Sequence, residues 1–280
     1  MPILLQPAAI VTLRGRDALA FAQAQFTSDV AGLASGHWQW SAWLDAQGRA
    51  RAFFLLARPE SELLLAWLPL GDAAELHAAL SRYVFRAAVR IETLAGWALH
   101  HVDDVAAPAA RTLVGDRDGW RIRLPGRQPR IALLAPAESE PADGAVLEDW
   151  RHDDALAGLP LLAPALYGEF VPQALDLERL DAIRFDKGCY PGQEIAARLH
   201  FRGGNKRHLR LLGLEGSPVA PGTALIEAGR TVGRVLYAAR PRSGGAAIAL
   251  GVVEASATQA ALQLAGGGLA RPDPGGNFLS

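Results

Sequence analysis

Cysteine is nearly absent from this 280-residue chain, which has one, Cys189. A single thiol excludes an internal disulfide. With no CxxC or HExxH run, the chain also lacks the ligands for a resident iron–sulfur cluster or structural zinc, so no metal site is expected. Long apolar runs are missing too: no stretch approaches the ~20 residues that span a bilayer. MPILLQPAAIV at the start has neither the positive region nor the apolar length of a secretory signal. These absences predict a cytoplasmic protein with no membrane partner. A net charge of −1 argues against broad coating of nucleic acid, though not against a local basic patch. Half the residues are hydrophobic and a fifth are charged. That is ordinary globular composition, at a length suited to two or three compact units.

Lysine is the next scarcity. Only Lys187 and Lys206 occur among 28 cationic residues, and both lie between Arg184 and His208. Arginine is a planar fork and lysine a compact charge on a flexible stem, so a chain that otherwise writes arginine has a use for an ammonium here. Leu177–Phe185 carries apolar residues at helical spacing, which predicts a helix ended by Gly188. Pro191-Gly192 predicts a turn. Gln193–Phe201 predicts a second helix with Glu194 in its first turn, stopped by Gly203-Gly204. Cys189 then sits on a tight loop before a helix N-terminus, beside Lys187. Both features favour thiolate; a buried, inert cysteine is the plainer alternative. Six cations against Asp186 and Glu194 make the stretch a candidate anion site.

Elsewhere the pattern is mixed α+β. Strands are expected at 8–13, 37–45, 52–57 and 63–68, then in five short runs between 87 and 134. Helices are expected at 17–25, 72–83 and 147–157, and a loop or boundary at 136–143. Trp38, Trp40 and Trp43 crowd one strand and read as core packing in the first instance. From residue 205 onward, short strands cut by glycine and proline predict a small antiparallel barrel of five or six strands. The tail from Gly266 is expected to be loosely ordered. The seven histidines show no ligand spacing, although His200 or His208 could pair with Cys189.

KGCYPGQE (187–194) followed by AARLHFRGGNKRHL (196–209) closely resembles the signature of the YgfZ family of folate-binding proteins. GRDALAFAQAQFTSDV, WLDAQGRARA, RYVFRAAV and EFVPQALDLERL fit the family in order. The resemblance implies a fold like that of the glycine-cleavage aminomethyltransferases: α+β, with antiparallel sheets in mixed subdomains and a C-terminal antiparallel β-barrel. It divides the chain into a folate-binding domain (1–45 plus 140–203), an inserted α+β domain (46–139) and the barrel (204–280). It implies a tetrahydrofolate or derivative as cofactor, with Trp150, Tyr190, Gln193, Glu194, Arg198, Arg202 and Lys206 as binding residues. Cys189 becomes a reactive thiol assisted by Lys187.

The implied role is an accessory factor for assembly or repair of iron–sulfur enzymes, indirectly supporting tRNA modification. Its partners are then iron–sulfur client or assembly proteins. The aminomethyltransferases carry a folate-contacting aspartate where this chain reads about Ala52, and alanine cannot do acid–base work. Asp45 precedes the turn and is placed to cap it. Ala8 and Asp154 stand where the family often has tryptophan and arginine. Two other classes stay open: a folate-dependent one-carbon transferase, and an RNA-binding protein using the 198–207 basic patch, with direct nucleic-acid contact the less expected.

Overall fold

The structure is a computed structural model that describes residues 2–103, 106–116, 118–126, 130–138, 144–257, 261–273 and 278. The chain opens with β1 (Ile3–Pro7), β2 (Ala9–Arg14) and α1 (Ala18–Gln25). The Trp-rich β3 (His37–Leu44) turns into β4 (Ala50–Glu60), and β5 (Leu63–Leu68) follows. Next come α2 (Ala73–Ser81), β6 (Arg90–Thr93), β7 (Trp97–Val102) and β8 (Leu113–Asp116). Strands β9 (Gly119–Leu124) and β10 (Arg130–Pro136) lead to α3 (Ala145–Leu156) and α4 (Gln193–Arg202). The last six strands are β11 (Arg207–Glu215), β12 (Ala224–Glu227), β13 (Arg230–Ala239), β14 (Ala247–Glu254), β15 (Leu262–Leu264) and β16 (Leu269–Pro272).

Two five-stranded antiparallel sheets, in orders β1-β7-β10-β9-β8 and β3-β4-β5-β2-β6, stand beside a closed barrel, β11-β14-β13-β12-β15-β16. One core joins faces of both sheets: Trp38, Trp40, Phe53 and Trp67 meet Leu99, Ile122 and Leu134 there. The opposite face of the second sheet is sealed by α1 and α2 around Phe26, Phe54, Leu56 and Leu76. With both faces covered, β5 needs no polar side, and every residue of LLLAWL is buried. Asp72 caps α2 by accepting the N–H groups of Ala74 and Glu75. The barrel packs its own interior of Leu212, Leu225, Val235 and Leu262. It is tied to α3 by Arg242–Asp149 (2.8 Å), and to the segment just after α3 by the Tyr237 hydroxyl donating to Leu159 O (2.8 Å).

Two expectations are corrected. Leu177–Phe185 forms turns, not a helix, because Asp176 (φ 55°) and Asp181 (φ 53°) take left-handed conformations that a helix cannot continue through. Burial of Leu177, Leu180, Ala182 and Ile183 in the main core replaces the helical contacts. The tail is not all loose: Leu269–Pro272 closes the barrel against β11. Strand β1, pairing with β7, went unforeseen. As for domain boundaries, 45/46 falls in the turn between β3 and β4, which pair along their length in one sheet. The 139/140 boundary and the end of the 136–143 loop lie outside the described residues. The 203/204 junction separates α4 from the barrel.

Candidate functional site

The lone cysteine sits exposed on a loop held from both sides. Lys187 reaches back across the fold, its ammonium donating to Phe26 O (2.7 Å) and Ser28 O (2.6 Å) and lying 5.2 Å from the Tyr190 ring centroid. Burial pulls its pKa down to about 8, with the Asp29 charge opposing. The two carbonyls also favour the charged form. The Tyr190 hydroxyl donates to Arg184 O, and burial raises its pKa. Gln193 reaches Lys187 O at 3.5 Å. Beneath the loop, Thr27 donates its hydroxyl to Ala182 O (2.6 Å), while its backbone oxygen accepts from Arg184 N. The lysine preference thus has a geometric reason: a compact ammonium fits between two carbonyls.

Helix α4 follows directly, with Glu194 in its first turn and Arg198 and Arg202 exposed along it. Lys206 is exposed at the junction with the barrel, and Phe201 is 74% exposed beside the stacked Phe185–His200 pair. His200 Nδ1 pairs with Glu178 at 2.9 Å, while His208 lies on β11. Gly192 and Gly48, both at positive φ, let the β3–β4 turn pack under Ile195, where a Cβ on Gly48 would meet the Ile195 Cβ at 2.8 Å. Asp45 caps that turn, accepting from Gln47 N and Arg49 N.

A cavity of about 510 Å³ opens elsewhere, lined by Trp38, Trp40, Arg111, Arg123, Arg179 and Phe278 among others. Trp38 and Trp40 meet edge to face at 5.6 Å, and Arg111 lies 5.3 Å from the Trp38 ring centroid. The Trp38 indole N–H is buried with no hydrogen-bond partner among the described residues. No carboxylate is among the described lining residues. Size, indole surfaces and cations suit a flat, apolar ligand with an anionic end.

The expected site residues therefore fall in separate places. Cys189, Lys187, Tyr190, Gln193, Glu194, Arg198, Arg202 and Lys206 belong to the loop and α4, outside the cavity lining. Trp150 is buried in the core, its indole N–H donating to His101 Nδ1 at 3.3 Å and Arg130 stacked 4.9 Å over its ring. Asp154, at the family's arginine position, is buried and accepts from Arg130 (2.8 Å) and Arg151 (3.4 Å). Burial lowers the Arg151 pKa, while Asp154 opposes the shift. Ala52 faces the α1–α2 side of its sheet, opposite to Trp38 and Trp40. An acid at that position would not reach the cavity.

Arg111, Arg123, Arg179 and Phe278 went unforeseen. The spacing of Trp38 and Trp40, two residues apart on one strand face, was the readable signal for this wall. Among the described residues no three His, Cys, Asp or Glu side chains gather to hold a metal, and no helix is long and apolar enough to cross a membrane.

No family model matches the chain. An uncharacterized protein of Haemophilus influenzae is 34% identical over 208 residues, covering 71% of this chain and 68% of that one. The tRNA-modifying protein YgfZ of Serratia proteamaculans is 32% identical over 269 residues, 86% of this chain and 81% of its own. The chain belongs to the YgfZ family. The YgfZ of Vibrio atlanticus, 28% identical over 238 residues, covers 80% of this chain and 72% of its own. In fold, this YgfZ-family chain is similar to the glycine cleavage system aminomethyltransferase T of Bartonella henselae. The TM-score is 0.71 at 15% identity, over 100% of this chain and 87% of the other. The expected aminomethyltransferase-like α+β fold with a C-terminal barrel is thus observed.

Proposed function

We propose that this chain is a tetrahydrofolate-binding accessory factor for assembly or repair of iron–sulfur enzymes, supporting tRNA modification through them. The tRNA link rests on the names of its relatives. The observation that carries the folate reading is the cavity: its size and its largely apolar wall, with the edges of Trp38 and Trp40 in it and arginines around it, suit a pterin or aminobenzoyl ring with an anionic end. Arg111 and Arg123 present cations suited to the glutamate carboxylates. Tetrahydrofolate, when bound, would supply one-carbon or redox chemistry. The chain's own residues bind and orient it, and the described lining has no acid or base to move a proton. That favours a binding protein over a transferase. Cys189 is the reactive thiol, turned outward on a rigidly held loop beside the exposed cations of α4, where a client protein can reach it.

The test is titration with tetrahydrofolate followed by tryptophan fluorescence, in the wild type and in Arg123→Gln. Saturable quenching, with at least tenfold weaker binding in the variant, is expected, because a charge-assisted hydrogen bond is worth about 1.5–3 kcal/mol. No saturable response in the wild type would overturn the folate reading.

A further inference from the structure

Helix α4 leaves most of itself uncovered: of its ten residues only Ala196 is buried. Helices in folded proteins ordinarily owe their stability to a packed apolar face. Here Ile195 and Phe201 are exposed instead, Phe201 by 74%. Arg198 is the centre of the outward face. Ile195 and Phe201 lie three positions to either side of it, and Glu194 and Arg202 four, so all five share one surface. Phe201 is braced. It meets His200 edge to face at 4.8 Å, and His200 is stacked 4.4 Å from Phe185 and paired with Glu178 at 2.9 Å. The ring is held in position while most of it stays in water.

The charges around this helix divide into two groups. Of the six cations between Arg184 and His208, three are engaged. Arg184 pairs with Asp186, Lys187 is bound to two carbonyls, and Arg207 approaches Glu169 at 3.8 Å. The side chains of Arg198, Arg202 and Lys206 are exposed and have no ion-pair or hydrogen-bond partner among the described residues. They also lie outside the lining of the indole-walled cavity, so a ligand there leaves them unneutralised. Three uncompensated cations around one exposed ring do not match the core of a protein interface, where charged residues are depleted. They match a strand of phosphates with a base laid on the ring: the cations take the backbone, and the aromatic face takes any base.

We propose that the outer face of α4, continued by Lys206, binds an unpaired segment of RNA, with Arg198, Arg202 and Lys206 on its phosphates and Phe201 against a base. That the strand is RNA rests on the tRNA link of the proposed function; the folate reading is not involved.

The probe is a fluorescein-labelled oligouridylate of about 12 nucleotides. Its anisotropy is followed with the wild type, with Phe201→Ala and with the double variant Arg198→Gln/Arg202→Gln, each checked for folding by far-UV circular dichroism. Saturable binding is expected, about twentyfold weaker in about 200 mM than in about 50 mM salt, because three phosphate contacts on a single strand give a log–log slope of about −2. The double variant removes two of those contacts, and its slope falls to about −0.7. Phe201→Ala keeps the slope and loses about tenfold in affinity with the stacking. No saturable binding by the wild type overturns the inference. So does a folded variant of either kind that binds like the wild type, or tighter binding of the matching DNA strand or of an RNA duplex. Binding of poly-L-glutamate in place of the oligonucleotide assigns the face to an acidic protein surface and overturns the RNA partner. Tetrahydrofolate quenching in the same preparation separates the two proposals: quenching without RNA binding leaves the folate reading standing, and RNA binding without quenching leaves this one.

Discussion

Replacing Lys187 by methionine tests whether its ammonium is a clamp or a free functional group. Methionine keeps most of the stem and removes the charge. The change abandons two carbonyls, Phe26 O and Ser28 O, that now accept at 2.7 and 2.6 Å. Each charge-assisted bond is worth about 1.5–3 kcal/mol, against which stands the relief of no longer burying a cation, for a net loss of about 2 kcal/mol. In a chain of this size that lowers the melting temperature by about 4–8 °C.

The pH dependence carries a sign. Lysine in an unfolded chain titrates near 10.5, and burial brings Lys187 to about 8. Between those values the unfolded state binds more protons, so the wild type gains stability from this group as pH rises through 8 towards 10.5; below 8 the penalty is fully present. The margin of wild type over Lys187→Met should therefore widen across that window. Thermal unfolding from pH 7 to 10, with limited proteolysis around 184–192, reads both effects. A variant as stable as the wild type, with an unchanged cleavage pattern and a flat margin, would refute the clamp.

Cys189 should react with iodoacetamide in the native protein nearly as fast as in urea, since its side chain is exposed; strong protection in the native state would contradict the outward placement. Asp154→Asn should cost about 3 kcal/mol, because it leaves buried Arg151 without its carboxylate and Arg130 with only the more distant Asp153 at 3.9 Å. Urea unfolding with an unshifted midpoint would show that those guanidiniums find other partners.

The parts of the fold governed by local pattern were legible in advance. The alternation of HWQWSAWL made β3, the turn at Ala46–Gly48 made the hairpin, and the glycine-cut strands after residue 205 made the barrel. What defeated local reasoning was long-range packing. Leu177, Leu180 and Ile183 have helical spacing, yet two aspartates in left-handed conformation turn the same side chains into the core. The loop–helix arrangement around Cys189 was readable from Gly188, Pro191-Gly192 and Gly203-Gly204. Its separation from the cavity was not, because Arg111, Arg123 and Phe278 come from distant segments that only the tertiary fold assembles. Lys187 was read as a functional ammonium. Its partners lie some 160 positions earlier, beyond any local signal.

That distance has a consequence for how the protein is made. The cysteine loop has its lysine bonded to residues 161 and 159 positions upstream, and the Thr27–Ala182 bond spans 155. Contacts of such separation bear the full entropy of loop closure, and so form late unless one side is already in place. Synthesis puts it in place. The N-terminal residues leave the ribosome first, and domains tend to fold in that order. The 26–28 rail, braced by Ser28 on Ser41 and by Thr27 on Ala42, can therefore stand ready while the thiol is still being translated. Fixing of the thiol loop thus reports that the N-terminal sheet has assembled, and a nascent chain with a misfolded sheet would leave that loop undocked.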